Sequence, residues 1–133
     1  MIIELRPLSV DDGIDIYEML QEMPKNENGF VNNCNGRTFE DFRNWLIKSF
    51  NIANGTSLEE WMVPQNIYWL YVDKVPVGMG KLRHYLTDKL KEEGHGGYAI
   101  RPSYRNKGYG TLLLKLIIEQ AKEIKIDRLL LTV

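Results

Sequence analysis

Several things are scarce in this chain of 133 residues, and each scarcity closes off a class of function. Cys34 is its one cysteine, so neither a disulfide framework nor a cysteine-based zinc site forms within a single copy, and no metal is expected. A lone thiol without a leader-like segment reads as cytoplasmic. Charge of one sign is not in excess: 17 basic and 18 acidic residues leave a net charge of −1. That balance removes any global electrostatic case for nucleic acid or an anionic membrane as partner. No apolar run approaches the ~20 residues that cross a bilayer. Internal repeats and low-complexity linkers are missing as well. What is left is the composition of an ordinary globular protein, 44% hydrophobic and 26% charged, at a length that makes residues 1–133 a single domain. Any anion site must be local.

Residues 2–6 alternate apolar and polar and stop at Pro7, which predicts a first strand with one face buried. Ser9 and Asp12 form an approximate capping box, and Val10, Ile14, Tyr17 and Leu20 follow at helical spacing until Pro24. Residues 25–37 turn polar and loop-like. Thr38 and Asp41 open a second helix whose apolar stripe is Phe39, Phe42, Leu46 and Phe50, closed by Asn54 and Gly55. Residues 67–72 (IYWLYV) and 75–85 read as a hairpin about Asp73 and Lys74. A charged segment over 87–93 is expected to be a helical turn or an exposed loop. Residues 95–100 form the next strand, 110–125 a third helix and 128–133 a last strand with both faces covered. The order β-α-α-β-β-β-α-β predicts an α+β fold, layered α-β-α, on a mixed and mostly antiparallel sheet. Its final β-α-β crossover makes the last two strands parallel.

That order places the stretch RNKGYG, residues 105–110, at the end of a parallel strand and the start of the following helix. A helix N-terminus offers N–H groups without intrahelical partners and a partial positive charge, where phosphates settle. Gly108 and Gly110 allow positive φ and close backbone approach. Arg105 and Lys107 add charge at the rim, and Thr111 offers a cap or a hydroxyl. The plain alternative is a tight turn with solvated cations. A dinucleotide fingerprint does not fit, since position 113 is Leu113 rather than glycine. A Walker loop does not fit either, because Gly-Lys-Ser/Thr never occurs.

The run IRPSYRNKGYG, residues 100–110, closely resembles the acetyl-CoA-binding motif of the GCN5-related N-acetyltransferases (GNAT), and the order of elements resembles that family over essentially the whole chain. The resemblance implies the acyl-CoA N-acyltransferase fold and transfer of the acetyl group of acetyl-CoA to a primary amine of a small molecule or peptide. It implies that Ile100, Arg101, Arg105, Asn106, Lys107, Gly108, Tyr109, Gly110 and Thr111 hold coenzyme A, the pyrophosphate on the backbone of 105–111. A backbone N–H near Ile100 then polarises the thioester carbonyl, and residues 98–100 splay from the next parallel strand. The sequence ends at Val133, before the family's fourth helix and last two strands, which implies a C-terminally truncated version with an apolar edge. A homodimer is expected to cover that edge.

Acetyl transfer also needs a base, and the strand at 95–100 carries no carboxylate. Glu92 and Glu93 lie before it and read as solvated. His84 and His95 are candidate bases, and Tyr98 a candidate wall of the acyl pocket, each set against a structural role. The loops 25–37 and 51–66 are expected to grip the acceptor, with Glu18, Glu22 and Glu27 as attractors of a cationic amine and Phe30, Trp61 and Trp69 as an apolar wall. The competing readings are a non-catalytic acyl-CoA-binding module and a nucleotide-binding or structural domain whose loop only turns the chain.

Overall fold

The computed structural model describes residues 1–27, 30–56, 58–91, 94–126 and 129–132; Glu92, Glu93, Arg128 and Val133 lie outside the described residues. Strand β1 (Ile3–Pro7) leads to helix α1 (Ile14–Glu22), a two-residue pair β2 (Asn26–Glu27) and β3 (Phe30–Val31), and helix α2 (Phe39–Ala53). Then come β4 (Gln65–Val72), β5 (Val75–Arg83), β6 (Gly96–Ile100), a 3-10 turn (Pro102–Tyr104), helix α3 (Tyr109–Glu123) and β7 (Leu131–Thr132). The main sheet runs β1-β4-β5-β6-β7. Its first four strands are antiparallel neighbours, and β7 joins β6 in parallel, as the crossover requires.

The aromatic run of β4 is apolar throughout because both of its faces are covered. Ile67, Trp69 and Tyr71 join the core under α1 and α2, whereas Tyr68, Leu70 and Val72 join the core under α3. The hairpin turns on Asp73 and Lys74, both at positive φ (49° and 67°), matching the primed turn that two-residue hairpins favour. A bulge follows, since Leu70 faces Gly78 but Tyr71 faces Pro76. On α3, Leu113, Ile117 and Ala121 are buried, with Leu116 and Ile124 packed beside them.

The first helix differs from its reading. Ser9 and Asp12 close a turn of their own, with Ser9 N–H donating to Asp12 Oδ2 (2.8 Å), and α1 begins later, after Gly13. Asp12 is held instead by Trp69 Nε1 (2.8 Å). The buried stripe is therefore Ile16, Met19 and Leu20, while Val10 and Ile14 are exposed. The second helix keeps its capping box, Thr38 with Asp41, but Phe50 is 42% exposed and Ser49 is buried in the face it was expected to fill. Strand β5 stops at Arg83, leaving Tyr85 exposed. The 87–91 segment is a turn that tucks Leu90 into the interior.

Residues 25–37, read as loop, fold back as the β2–β3 pair, in register Asn26↔Val31 and Glu27↔Phe30. Asparagines make this possible. Asn32 Nδ2 donates to the carbonyls of Leu20 (2.8 Å) and Met23 (3.1 Å), and Asn35 Nδ2 to those of Gln21 (3.0 Å) and Met23 (2.8 Å). These are carbonyls that the end of α1 leaves without intrahelical partners. The pair is thus stapled to α1 and delivered over the C-terminal end of β6.

Candidate functional site

A cavity of about 330 Å³ opens where β6, the loop after it, the start of α3 and the β2–β3 pair converge. Its floor is Tyr98, Ala99 and Ile100; one wall is Arg105, Asn106, Gly108, Tyr109 and Gly110; Glu27, Phe30 and Tyr104 close the rest.

The backbone explains its shape. After Ile100 the chain makes the 3-10 turn, Arg105 is extended, and Asn106 (φ 64°) and Gly108 (φ 83°) are both left-handed. This twist swings the chain into α3 with Gly108 as N-cap and no side-chain cap, so Thr111 does not cap the helix. The first ladder bond is Leu112 N–H to Gly108 O (3.3 Å), which leaves the N–H groups of Tyr109, Gly110 and Thr111 ahead of the ladder. A Cβ added at Gly108 would meet nothing within 4 Å. The backbone is open there to whatever fills the cavity.

On the floor, ladder bonds from Arg83 N–H to His95 O (2.5 Å) and from Arg101 N–H to Val77 O (2.7 Å) put the odd residues of β6 onto β5. The alternation of an antiparallel ladder turns the backbone groups of Tyr98 and Ile100 to the opposite edge. Among the described residues, β7 pairs there only with Gly96 and Gly97. That edge offers an extended ligand arm the Tyr98 carbonyl and the Ile100 N–H, the Ile100 carbonyl being taken by Arg105.

The cations sit differently from their reading. Arg105 is no free rim charge: its Nη2 donates to both Glu27 oxygens (2.6 Å each) and its Nε to Ile100 O (3.2 Å). Arg101 turns away from the cavity to Glu22 (Nε to Oε1, 2.9 Å) and Pro76 O (3.3 Å). Lys107 and Thr111 are exposed and outside the lining. Glu22 also accepts from Ser103 N–H (2.6 Å) and Ser103 Oγ (3.0 Å), clamping the end of α1 to the 3-10 turn. Burial alone would raise its carboxyl pKa, but the Ser103 donors and Arg101 outweigh that and hold it low.

Of the candidate catalytic side chains, Tyr98 lines the cavity and the two histidines do not. His84 bonds Asn66 Oδ1 through Nε2 (3.1 Å). His95 is buried and accepts from Leu130 N–H at Nδ1 (3.0 Å), which ties β6 to the approach of β7. The β5–β6 register pairs Leu82 with Gly96, so Arg83, not His84, comes opposite His95. Both histidines lie at the strand end away from the cavity, and burial lowers the pKa of each. Of the expected acceptor residues, Glu27 and Phe30 reach the cavity, Glu18 and Trp61 stay exposed, and Trp69 is core. Behind Phe30, Lys81 Nζ donates to Val31 O (2.5 Å) and lies 4.9 Å from the Phe30 ring centroid; burial, then Arg83, pull its pKa down to about 8. Ala99 and Tyr104 also line the cavity, and no spacing in the sequence marks them. Among the described residues no cluster of His, Cys, Asp or Glu could hold a metal, and no helix is long and apolar enough to cross a membrane.

The model of the Acetyltransferase (GNAT) family matches residues 34–133. No curated protein matches the chain in sequence. Among solved structures it is similar to an acetyl transferase from Salmonella typhimurium that modifies the N-terminal serine of the 50S ribosomal subunit protein L7/L12, with TM-score 0.64 and 9% identity over 92% of this chain. The chain spans 65% of that protein's length. A GNAT-family acetyltransferase from Streptococcus pneumoniae gives TM-score 0.58 and 19% identity, with 94% of this chain and 70% of that one covered. A predicted acetyltransferase from Clostridium acetobutylicum, solved with acetyl-CoA, gives TM-score 0.52 and 14% identity, with 99% and 81% covered.

Proposed function

The chain belongs to the GNAT acetyltransferase family, and on that premise we propose that it is an N-acetyltransferase, moving the acetyl group of acetyl-CoA to a primary amine of a small molecule or peptide. The observation that carries the reading is the cradle at Gly108: a left-handed turn, open to the cavity, with unladdered N–H groups on the helix side. An anion fits it by hydrogen bonding and by the positive end of the helix dipole.

In this reading the backbone of 105–111 holds the pyrophosphate, with Asn106, Gly108, Tyr109 and Gly110 as the wall against it. The Tyr98 carbonyl bonds the pantetheine arm along the floor, and the N–H near Ile100 faces the thioester oxygen. Acetyl-CoA, when bound, supplies an activated acyl carbon and a thiolate leaving group. The chain's part is to hold that carbon still, polarise its oxygen and exclude water. Tyr98, Ala99 and Phe30 form the apolar surround at the reacting end. His84 and His95 are not given catalytic roles, because strand geometry sets them roughly 10 Å or more from the Tyr98–Ile100 floor. A homodimer, and a location in the cytoplasm, complete the proposal.

Release of free thiol from acetyl-CoA in the presence of an amine panel tests it. The panel spans polyamines, aminosugars, amino acids and a peptide with N-terminal serine. Amine-dependent release supports acetyl transfer; cofactor binding with no release from any amine would favour the non-catalytic acyl-CoA module instead.

A further inference from the structure

The wall of the cavity contains a contradiction in charge. A site for a pyrophosphate should present cations, yet the one lining cation among the described residues, Arg105, is already paired with a lining carboxylate, Glu27. Both Glu27 oxygens lie 2.6 Å from the same guanidinium nitrogen, and both side chains are partly exposed, at 38% and 31%. A phosphate entering beside Gly108 meets a neutralised arginine and a carboxylate of its own sign.

We propose that Glu27 is an internal rival of the cofactor's pyrophosphate for Arg105, and that it sets how tightly coenzyme A binds. This rests on the reading of the loop as the pyrophosphate site. With the cavity empty, Glu27 holds the guanidinium and ties the β2–β3 pair to the loop. Pyrophosphate, with more charge and more acceptor oxygens, takes the guanidinium and sets Glu27 free.

The surroundings permit that exchange. Arg105 keeps its second anchor, Nε to Ile100 O, so its side chain stays at the cavity wall whichever anion it faces. Glu27 can leave without unfolding the pair that carries it. That pair has its own ties: Lys81 to Val31 O, Asn32 N–H to Lys25 O (2.8 Å), and Asn32 Nδ2 to the end of α1. Phe30, opposite Glu27 in the register, lines the same cavity. Cofactor binding is thereby coupled to the segment on the acceptor side.

The test is a double-mutant cycle read by calorimetric titration with coenzyme A. Glu27→Gln keeps the shape and removes the charge. It should tighten binding by roughly two- to fivefold, the scale of a partly exposed ion pair. In an Arg105→Gln background the same change should tighten binding less, because the competition is gone and only direct repulsion is relieved. Glu119→Gln, an exposed acid on α3, controls for net charge and should leave affinity unchanged. Equal tightening by Glu27→Gln in both backgrounds would reduce the effect to general repulsion, and unchanged or weaker binding would overturn the rivalry. If the wild-type chain fails to bind coenzyme A at all, the functional reading falls with it. Wild-type binding with an unresponsive Glu27 removes only this inference.

Discussion

Gly108 combines two demands that ordinary residues meet badly: a φ of 83° and a bare face toward the cavity. They can be separated by substitution. Gly108→Ala adds a Cβ that meets nothing, so it should cost only the left-handed strain, about 1 kcal/mol of stability by urea unfolding. Gly108→Glu adds the same strain and a negative charge in the anion cradle. It should weaken coenzyme A binding by about 100-fold, near 2.7 kcal/mol, with circular dichroism unchanged; retained affinity would refute the pyrophosphate assignment. Lys81 makes a different residue-scale prediction. Its folded pKa of about 8 lies below the ordinary 10.5, so the unfolded chain binds more protons between those values. The burial penalty is fully felt below pH 8 and is relieved as pH rises. From pH 7.5 to 9, stability of the wild type relative to Lys81→Met should therefore rise by about 1 kcal/mol. That window stops short of Tyr71, which burial pushes up to about 12, and Cys34, pushed up likewise, is present in both proteins and drops out of the difference. A flat difference across it would mean that Lys81 stays fully charged. The glycines and cations of 105–110 were legible as residues, since φ freedom and charge are properties of residue type. The engagement of Arg105 with Glu27 was not, because 78 positions separate the partners and neither side chain advertises the other.

At the scale of elements, the clamp between α1 and the 3-10 turn positions the loop without touching the cavity: Glu22 gathers Arg101 and both donors of Ser103. Glu22→Ala removes three hydrogen bonds at once. It should cost about 1 kcal/mol of stability, comparable to loss of a helix cap. It should also raise KM for acetyl-CoA several-fold with kcat nearly unchanged, since Glu22 does not line the cavity. A fall in kcat alone would contradict a positioning role. Strand β6 carries a second test. A Cβ at Gly96 would collide with the backbone carbonyl of Lys81 on β5, and a ladder carbonyl cannot step aside as a side chain can. Gly96→Ala should destabilise by about 3 kcal/mol in urea, and a loss under 0.5 kcal/mol would show that the strands re-register cheaply. Elements were readable where one signal governed them: the Thr38–Asp41 box and the hairpin about Asp73 and Lys74. They were misread where tertiary contacts decided. Asp12 is drawn off as a partner of Trp69, which delays α1, and the carbonyls at the end of α1 recruit Asn32 and Asn35, which turns a loop into a strand pair.

Over the whole molecule, the sheet divides the interior into two clusters, one under α1 and α2 and one under α3. The cavity lies where both meet: Ala99 belongs to the first, and Tyr98 and Ile100 to the second. Three separate parts of the sequence build it, Glu27 with Phe30, residues 98–100 and the loop from Tyr104 to Gly110, and the ion pairs Glu22–Arg101 and Glu27–Arg105 help to hold them together. Topology was legible from element order alone, which is why the site's position at the end of β6 could be foreseen; Glu27 and Phe30 were expected on the acceptor side, but not the strand pair that carries them. A ligand that touches all three stretches should stabilise the fold as a unit, because it binds only when they are assembled. Coenzyme A at about 100 times its Kd contributes about 2.7 kcal/mol by mass action. Divided by the unfolding entropy of a chain of this length, that raises Tm by about 10 °C. Differential scanning fluorimetry with acetyl-CoA checks it, and the same titration on Gly108→Glu supplies the contrast. A matching rise in both proteins would place the ligand elsewhere, and no rise in either at excess ligand would leave the loop as a turn and nothing more.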